Sequence, residues 1–357
     1  MLWPFIFATG VDIDYAYESF KWSNLAKNVA GVTVMVIGLS NKSGSKKRLY
    51  RVNNDSTFCD YVDNINPYII NSANNTIVEQ RRKVLTNYFP EMPKGNMPYD
   101  GGNLLLTREE FKLFEKEYPK DLKYIKRFVN AKSFINDDKQ YCLWIRDEDY
   151  SNAIKNSFIN ERVEKVRKMR LDSTDAGAHK LASRPYSFRE TNEPTNKSLV
   201  VPSTSSERRD YIPMAYLDDT TIASNAVFVI YDAELWLFAI LESKMHMAWI
   251  KTVCGKLETR YRYSSTLGYN TFPCPPLTSA QKEALSKSAE NILMMRENHS
   301  EMTLAQMYDP DKMPADLKRA HEDNDVLVDL LYRNHAFGSD EERLATLFDL
   351  YEKMTNK

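Results

Sequence analysis

The 357-residue chain has little cysteine: four residues, at positions 59, 142, 254 and 274, far apart and with no C-x-x-C pair. That spacing argues against a zinc site or a disulfide framework and fits a reducing cytosol. It has no long apolar run either. The longest, residues 32–39, is interrupted by Thr33 and Gly38, and a membrane span needs roughly 20 residues. The N-terminus lacks the basic flank and small-residue cleavage site of a signal peptide. Neither charge sign dominates: 48 basic residues face 49 acidic ones, net −1. No G-x-G-x-x-G or G-x-x-x-x-G-K-[ST] loop is present, so no nucleotide cradle is visible. The five histidines stand alone without metal-ligand spacing, and no metal is expected. Ser203-Thr-Ser-Ser206 has no nucleophile-elbow context. His246, between Met245 and Met247, reads as a packed core histidine rather than a base.

What is present is enough apolar residue, 43%, for a sizeable core, which excludes wholesale disorder. The length suggests two or three domains. Charge is unevenly spread. The last 82 residues hold ten basic and sixteen acidic side chains, net −6, which leaves the first 275 with +5. A mildly basic body permits a polyanionic partner. Residues 11–17 alternate as a half-buried strand should, and residues 31–39 are almost continuously apolar, as in a strand covered on both faces. Two such strands cannot bury those faces alone, so their partners lie later in the chain or outside it. Residues 41–47 form a polar loop and a candidate boundary. Beyond it, strand-like runs (part of 134–144, 199–202 and 226–231) alternate with helices. Thr107-Arg-Glu-Glu110 is a capping box, and Ile159, Val163, Val166 and Met169 recur at helical spacing. From Thr278 onwards the chain reads as helical. A second capping box stands at Thr278–Gln281 and a third at Ser339–Glu342. The final stripe is Leu344, Leu347, Phe348, Tyr351 and Met354.

Three basic segments stand out. Residues 156–184 carry Arg162, Lys165, Arg167, Lys168, Arg170, Lys180 and Arg184, net +3. Arg208 and Arg209 form a second spot. In residues 251–270, Lys251, Lys256, Arg260 and Arg262 interleave with Tyr261, Tyr263 and Tyr269. Cations set phosphate affinity, while hydroxyls and aromatics position the backbone; a solvated helix face and a tyrosine-rich strand would look the same taken singly. Glu258 and Arg260, two apart in an extended segment, would point the same way. Glu accepts from cytosine N4 and Arg binds guanine O6/N7, so together they could read one G·C pair. An exposed same-strand ion pair is the plainer alternative.

Several long stretches resemble the C-terminal part of MmeI-like type II restriction–modification enzymes, of the γ class of adenine-N6 DNA methyltransferases. They are Ser19-Phe-Lys-Trp-Ser-Asn24 with Ala30-Gly-Val-Thr-Val34, Gly95-Asn-Met-Pro-Tyr-Asp-Gly-Gly-Asn-Leu-Leu-Leu106, Ser205-Ser-Glu-Arg-Arg-Asp-Tyr-Ile-Pro213, Gly255-Lys-Leu-Glu-Thr-Arg-Tyr-Arg-Tyr-Ser264, Tyr269-Asn-Thr-Phe-Pro273 and Tyr308-Asp-Pro-Asp-Lys-Met-Pro314. The resemblance covers essentially the whole chain. It implies an α+β fold in three parts. Residues 1–47 would be the end of a Rossmann-like methyltransferase sheet, 48–275 a mixed α/β target recognition domain, and 276–357 an all-α C-terminal domain. It also implies that the S-adenosylmethionine loop, the catalytic Asn-Pro-Pro motif and the nuclease lie outside this chain. Asn66-Pro67-Tyr68 lacks the second proline of that motif and follows the strand pair instead of preceding it, so it reads as a turn.

The resemblance further implies a flipped adenine, with Phe20 and Trp22 as stacking candidates and Asn24 and Lys27 near the DNA backbone. The expected function is sequence-specific recognition of double-stranded DNA by a chain with no catalytic residue of its own. Base readout falls to Glu258 and Arg260. Backbone contacts fall to Lys27, Arg162, Lys165, Arg167, Lys168, Arg208, Arg209, Lys251, Lys256 and Arg262. S-adenosylmethionine would serve the complete enzyme and not bind this chain alone. The expected partner is an upstream methyltransferase polypeptide, with or without a nuclease. The alternatives are a non-catalytic specificity subunit and a gene remnant.

Overall fold

The computed structural model describes residues 2–22, 32–41, 46–53, 56–72, 75–136 and 138–355. The chain divides into two compact units, each assembled from separated stretches: Met1–Phe89, Ser243–Lys282 and Glu322–Lys357 form one, Pro90–Glu242 and Glu283–His321 the other. Helices and strands are mixed, as the α+β expectation requires. No helix among the described residues is long and apolar enough to cross a membrane.

The first unit holds a four-stranded sheet, β1 (Asp12–Trp22), β2 (Val32–Ser40), β3 (Lys47–Asn53) and β4 (Ser56–Val62), in spatial order β2-β1-β3-β4. β1 runs antiparallel to β2 and parallel to β3, and β4 closes antiparallel on β3. Of the two strands read from the sequence, β1 finds a later partner in β3, and the sheet continues past Lys47 to Val62; β2 pairs with β1 alone, so the expectation of a strand covered on both faces at residues 31–39 is corrected to an edge strand. Ile13, Ala16, Leu49, Val62, Ile65 and Ile69 bury one side. Tyr15 lies across Gly38, where a Cβ would stand 2.0 Å from its ring. Coverage is incomplete: Met35, Val36 and Leu39 of β2 and Phe58 and Tyr61 of β4, the two edge strands, stay exposed.

β1 is longer than its alternation indicates. The register shifts between Tyr17 and Phe20, then pairing resumes as Phe20↔Val34 and Trp22↔Val32. An irregularity of this kind breaks the period-2 pattern without ending the strand. Phe20 and Trp22 therefore belong to the strand and not to the loop after it. Asn66-Pro67-Tyr68 is a turn, in which the Asn66 carboxamide accepts from the backbone of Tyr68 at 2.9 Å. Two helices of this unit pack against each other. Lys244–Val253 places Trp249 against Phe348 and Tyr351 of Asp340–Thr355, with ring centroids 5.3 and 5.8 Å away. Ser339 caps the second of these, its hydroxyl accepting from Glu342 N.

The second unit has two small sheets. One joins Leu105–Leu106, Gln140–Leu143, Ile125–Val129 and Thr221–Ala223; the other joins Ala215–Asp218, Lys197–Pro202 and Val227–Tyr231. Of the strand-like run at 134–144, only Gln140–Leu143 is strand, because Ala131–Asn136 is a helical turn. Thr107 caps Arg108–Glu117 through both hydrogen bonds of its capping box. Ser157–Leu171 presents Ile159, Val163 and Val166 to a core that includes Leu104, Phe114, Cys142 and Phe188. Gly95 permits a close backbone approach: a Cβ there would meet the Ser224 carbonyl at 2.4 Å. Helices Ser279–Glu297 and Ala315–Asp329 contribute residues to both units.

Candidate nucleic-acid interface

The segment carrying Glu258 and Arg260 is a hairpin. Lys256–Leu257 pairs antiparallel with Arg260–Arg262, in register Lys256↔Tyr261 and Leu257↔Arg260. Glu258 and Thr259 are the two turn residues, and Glu258 has φ +59°. A positive φ at the first position suits the strand twist of a two-residue hairpin. The premise of one extended segment is therefore corrected: Glu258 lies in the turn and is not one step of a strand. The two side chains meet all the same, Arg260 Nη2 donating to Glu258 Oε2 at 2.9 Å. Both are exposed, as are Lys256 and Arg262. The hairpin tip carries a donor and an acceptor side by side, facing solvent.

The root of the hairpin is different. Tyr263 is buried, with its hydroxyl 2.9 Å from His246 Nε2. Tyr269 is buried too, so two of the three interleaved tyrosines are core residues. Burial pushes the His246 imidazole down to about 3 and keeps it neutral, as expected of a core histidine. Lys251, on the preceding helix, reaches Asp340 at 4.0 Å.

The basic helix Ser157–Leu171 is largely turned inward. Asn156 caps it, accepting from Phe158 N and Ile159 N. Arg170 is fully buried, and its five N–H groups meet the carbonyls of Tyr99, Leu181, Arg184, Pro98 and Ser187 at 2.9–3.1 Å. Burial pulls its pKa below the ordinary arginine value. Arg162 bonds the carbonyls of Asn103 and Leu105, pairs with Glu110 and lies over the Phe158 ring. Arg167 holds Glu164, the Ala182 carbonyl and the Tyr150 hydroxyl. Lys165, 2.7 Å from Glu161, and Lys168 remain exposed. The net +3 of this segment thus overstates the charge available to a partner. Arg208 is exposed and pairs with Asp311, while burial lowers the pKa of the half-buried Arg209.

Phe20 is half-buried within β1. The side chain of Trp22, and Asn24 and Lys27 altogether, fall outside the described residues. A basic run that residue spacing alone did not single out, Arg81-Arg82-Lys83, lies in the first unit with the hairpin. Its signal was simple: three consecutive cations.

The described residues do not fit S-adenosylmethionine. A nucleotide-type cofactor needs a glycine turn leading from a strand into a helix. Among the described residues the turns from a strand into a helix, at Thr107, at Asn130, at residues 232–234 and at Tyr263-Ser264, contain no glycine. No cluster of three or more metal-binding side chains occurs among the described residues.

Three family models match the chain in succession: the MmeI DNA-methyltransferase domain at residues 1–51, the MmeI target recognition domain at 72–276 and the MmeI C-terminal domain at 277–357. DNA methyltransferase A of Bacillus subtilis (strain 168) is 43% identical over all 357 residues, which make up 40% of its own length. The Type IIL restriction–modification enzyme MmeI, solved in complex with DNA, matches at TM-score 0.88 and 36% identity, over 100% of this chain and 48% of that one. The chain spans less than half the length of either relative. The matched segments account for nearly every residue, and the chain belongs to the MmeI family of restriction–modification DNA methyltransferases, of which it carries the target recognition domain, the C-terminal domain and a part of the methyltransferase domain.

Proposed function

We propose that this chain supplies sequence-specific recognition of duplex DNA to a cytoplasmic restriction–modification enzyme that serves in phage defence. The observation that carries the proposal is the exposed Glu258–Arg260 pair at a hairpin tip, inside the region matched by the target-recognition model. A two-stranded ribbon fits the major groove, where Arg on guanine and Glu on cytosine read one G·C pair. Lys165, Lys168, Arg208, Arg209, Lys251, Lys256 and Arg262 hold phosphates, with Lys27 beside the flipped base. Arg162 and Arg167, held by internal partners, shape the domain that presents the others. Phe20 and Trp22 remain the stacking candidates. In the complete enzyme the reaction is methyl transfer from S-adenosylmethionine to adenine N6, with cofactor and catalytic motif supplied by sequence outside this chain. The functional division follows the boundaries near residues 47 and 275.

A second reading, a subunit docking onto a separate methyltransferase half, is favoured by the exposed apolar side chains Met35, Val36, Leu39, Phe58 and Tyr61 on the edge strands. Binding of labelled duplex across a salt series tests the recognition claim. Each phosphate contact contributes about −0.9 to the log–log slope, so affinity should fall steeply with salt, and a flat response refutes the recognition claim. Methylation assays with and without the upstream polypeptide test the rest. The chain alone should neither bind the cofactor by calorimetry nor methylate; the pair should do both.

A further inference from the structure

We propose that Arg82 and Lys83 form a phosphate clamp beside the recognition hairpin, a role that rests on the DNA-binding reading above. The segment they occupy has no regular secondary structure, yet it is tied along its length. Arg81 N donates to the Thr266 carbonyl at 2.9 Å, and the buried Asn270 carboxamide donates to the carbonyls of Arg81 and Arg82 at 2.9 and 3.1 Å. Leu85 N then bonds the Asn270 carbonyl at 2.7 Å. The Thr86 hydroxyl bonds the Phe272 carbonyl at 2.9 Å, and Tyr88 reaches the Pro275 carbonyl at 2.6 Å. Residues 81–88 therefore run alongside residues 266–275 as a fixed strap. The strand that leads into that stretch is Arg260–Arg262.

The side chains on this strap divide by role. Arg81 is half-buried beside a cleft that Glu79 and Glu352 also line. Arg82 and Lys83 are exposed, and among the described residues neither forms an ion pair. Most other cations of this unit do have a carboxylate: Arg51 has Asp60, Lys244 has Asp325, Lys251 has Asp340, Arg333 has Glu342 and Arg343 has Asp329. Two adjacent uncompensated cations on a backbone fixed by six hydrogen bonds lose little further freedom on meeting a phosphate, which favours a positioned contact over a diffuse one. Phosphate contacts of this kind set register and carry no sequence information.

The test compares the full chain with Arg82→Ala/Lys83→Ala, using a duplex that carries the wild-type consensus. The double variant should bind with a salt slope shallower by about 1.8, the share of two phosphates, and should select the same consensus from a random pool. Phosphate ethylation should interfere at one or two fewer positions next to the G·C pair assigned to Glu258 and Arg260. Arg82→Lys/Lys83→Arg should keep the wild-type slope. An unchanged slope and ethylation pattern in the alanine variant, with wild type still binding, overturns the clamp alone. A shifted consensus overturns it in favour of base reading by this strap. Absence of duplex binding by wild type overturns the DNA-binding reading itself.

Discussion

The helix Ser157–Leu171 and the hairpin at residues 256–262 look alike in the sequence, since both are short stretches dense in arginine and lysine. They use those charges in opposite ways. In the helix, Arg170 is sealed inside and bonded to five carbonyls, and Arg162 and Arg167 tie loops to the helix. In the hairpin, Lys256, Arg260 and Arg262 face outward, and the interior position goes to a neutral pair, Tyr263 with His246. A run of cations is thus weak evidence for a polyanion partner until the carbonyls around it are counted. An arginine whose N–H groups are all taken up by backbone carbonyls is part of the scaffold.

Stability measurements separate the inward-turned helix from the outward-facing hairpin. The largest effect is expected at Arg170. Arg170→Met fills similar space but leaves the carbonyls of Pro98, Tyr99 and Ser187 without donors, while those of Leu181 and Arg184 keep the backbone N–H of Arg184 and Ser187, at a cost of about 3 kcal/mol by the penalty for unsatisfied groups. A urea midpoint close to wild type would show that water or relaxation replaces the guanidinium, and the scaffold role would fall.

The second effect concerns the neutral interior of the hairpin root. His246 has its folded pKa lowered to about 3 from 6.5. A histidine that stays unprotonated when folded binds more protons when unfolded. Its contribution is therefore fully present above pH 6.5 and is lost as pH falls towards 3. Between pH 6.5 and pH 5 the loss should approach about 2 kcal/mol. His246→Gln should flatten that part of the stability–pH curve. Equal slopes in wild type and variant would place the proton uptake elsewhere.

The two regions also differ in how far the sequence exposes them. Helix Ser157–Leu171 was legible because Ile159, Val163 and Val166 repeat at helical spacing, as helix Arg108–Glu117 was from its Thr107–Glu110 capping box. The role of Arg170 was not legible, because its partners lie around positions 98, 99, 181, 184 and 187 and are backbone atoms that any residue type provides. The hairpin was legible as a basic, tyrosine-bearing motif but not as a hairpin. Its turn is Glu258-Thr259, with no glycine or asparagine to announce a positive φ. The extension of β1 to Trp22 was hidden by the register shift after Tyr17. Domain content was legible in the long motifs, whereas the interleaving of three chain segments in the first unit depends on contacts far apart in sequence.

The smallest effect on stability belongs to Glu258 and Arg260, whose exposed pair is worth about 0–1 kcal/mol to folding. Their expected effect on specificity is large, and this contrast makes them the most direct test of the account. Wild type and Glu258→Lys/Arg260→Asp should be compared by selecting bound sequences from a random-duplex pool. Reversing donor and acceptor should move the preference at one position from one orientation of the G·C pair to the other, with discrimination of roughly 1–3 kcal/mol, while the rest of the consensus stays as it is. An unchanged consensus with uniformly weaker binding would contradict the account and leave Glu258–Arg260 as a surface ion pair beside the phosphates.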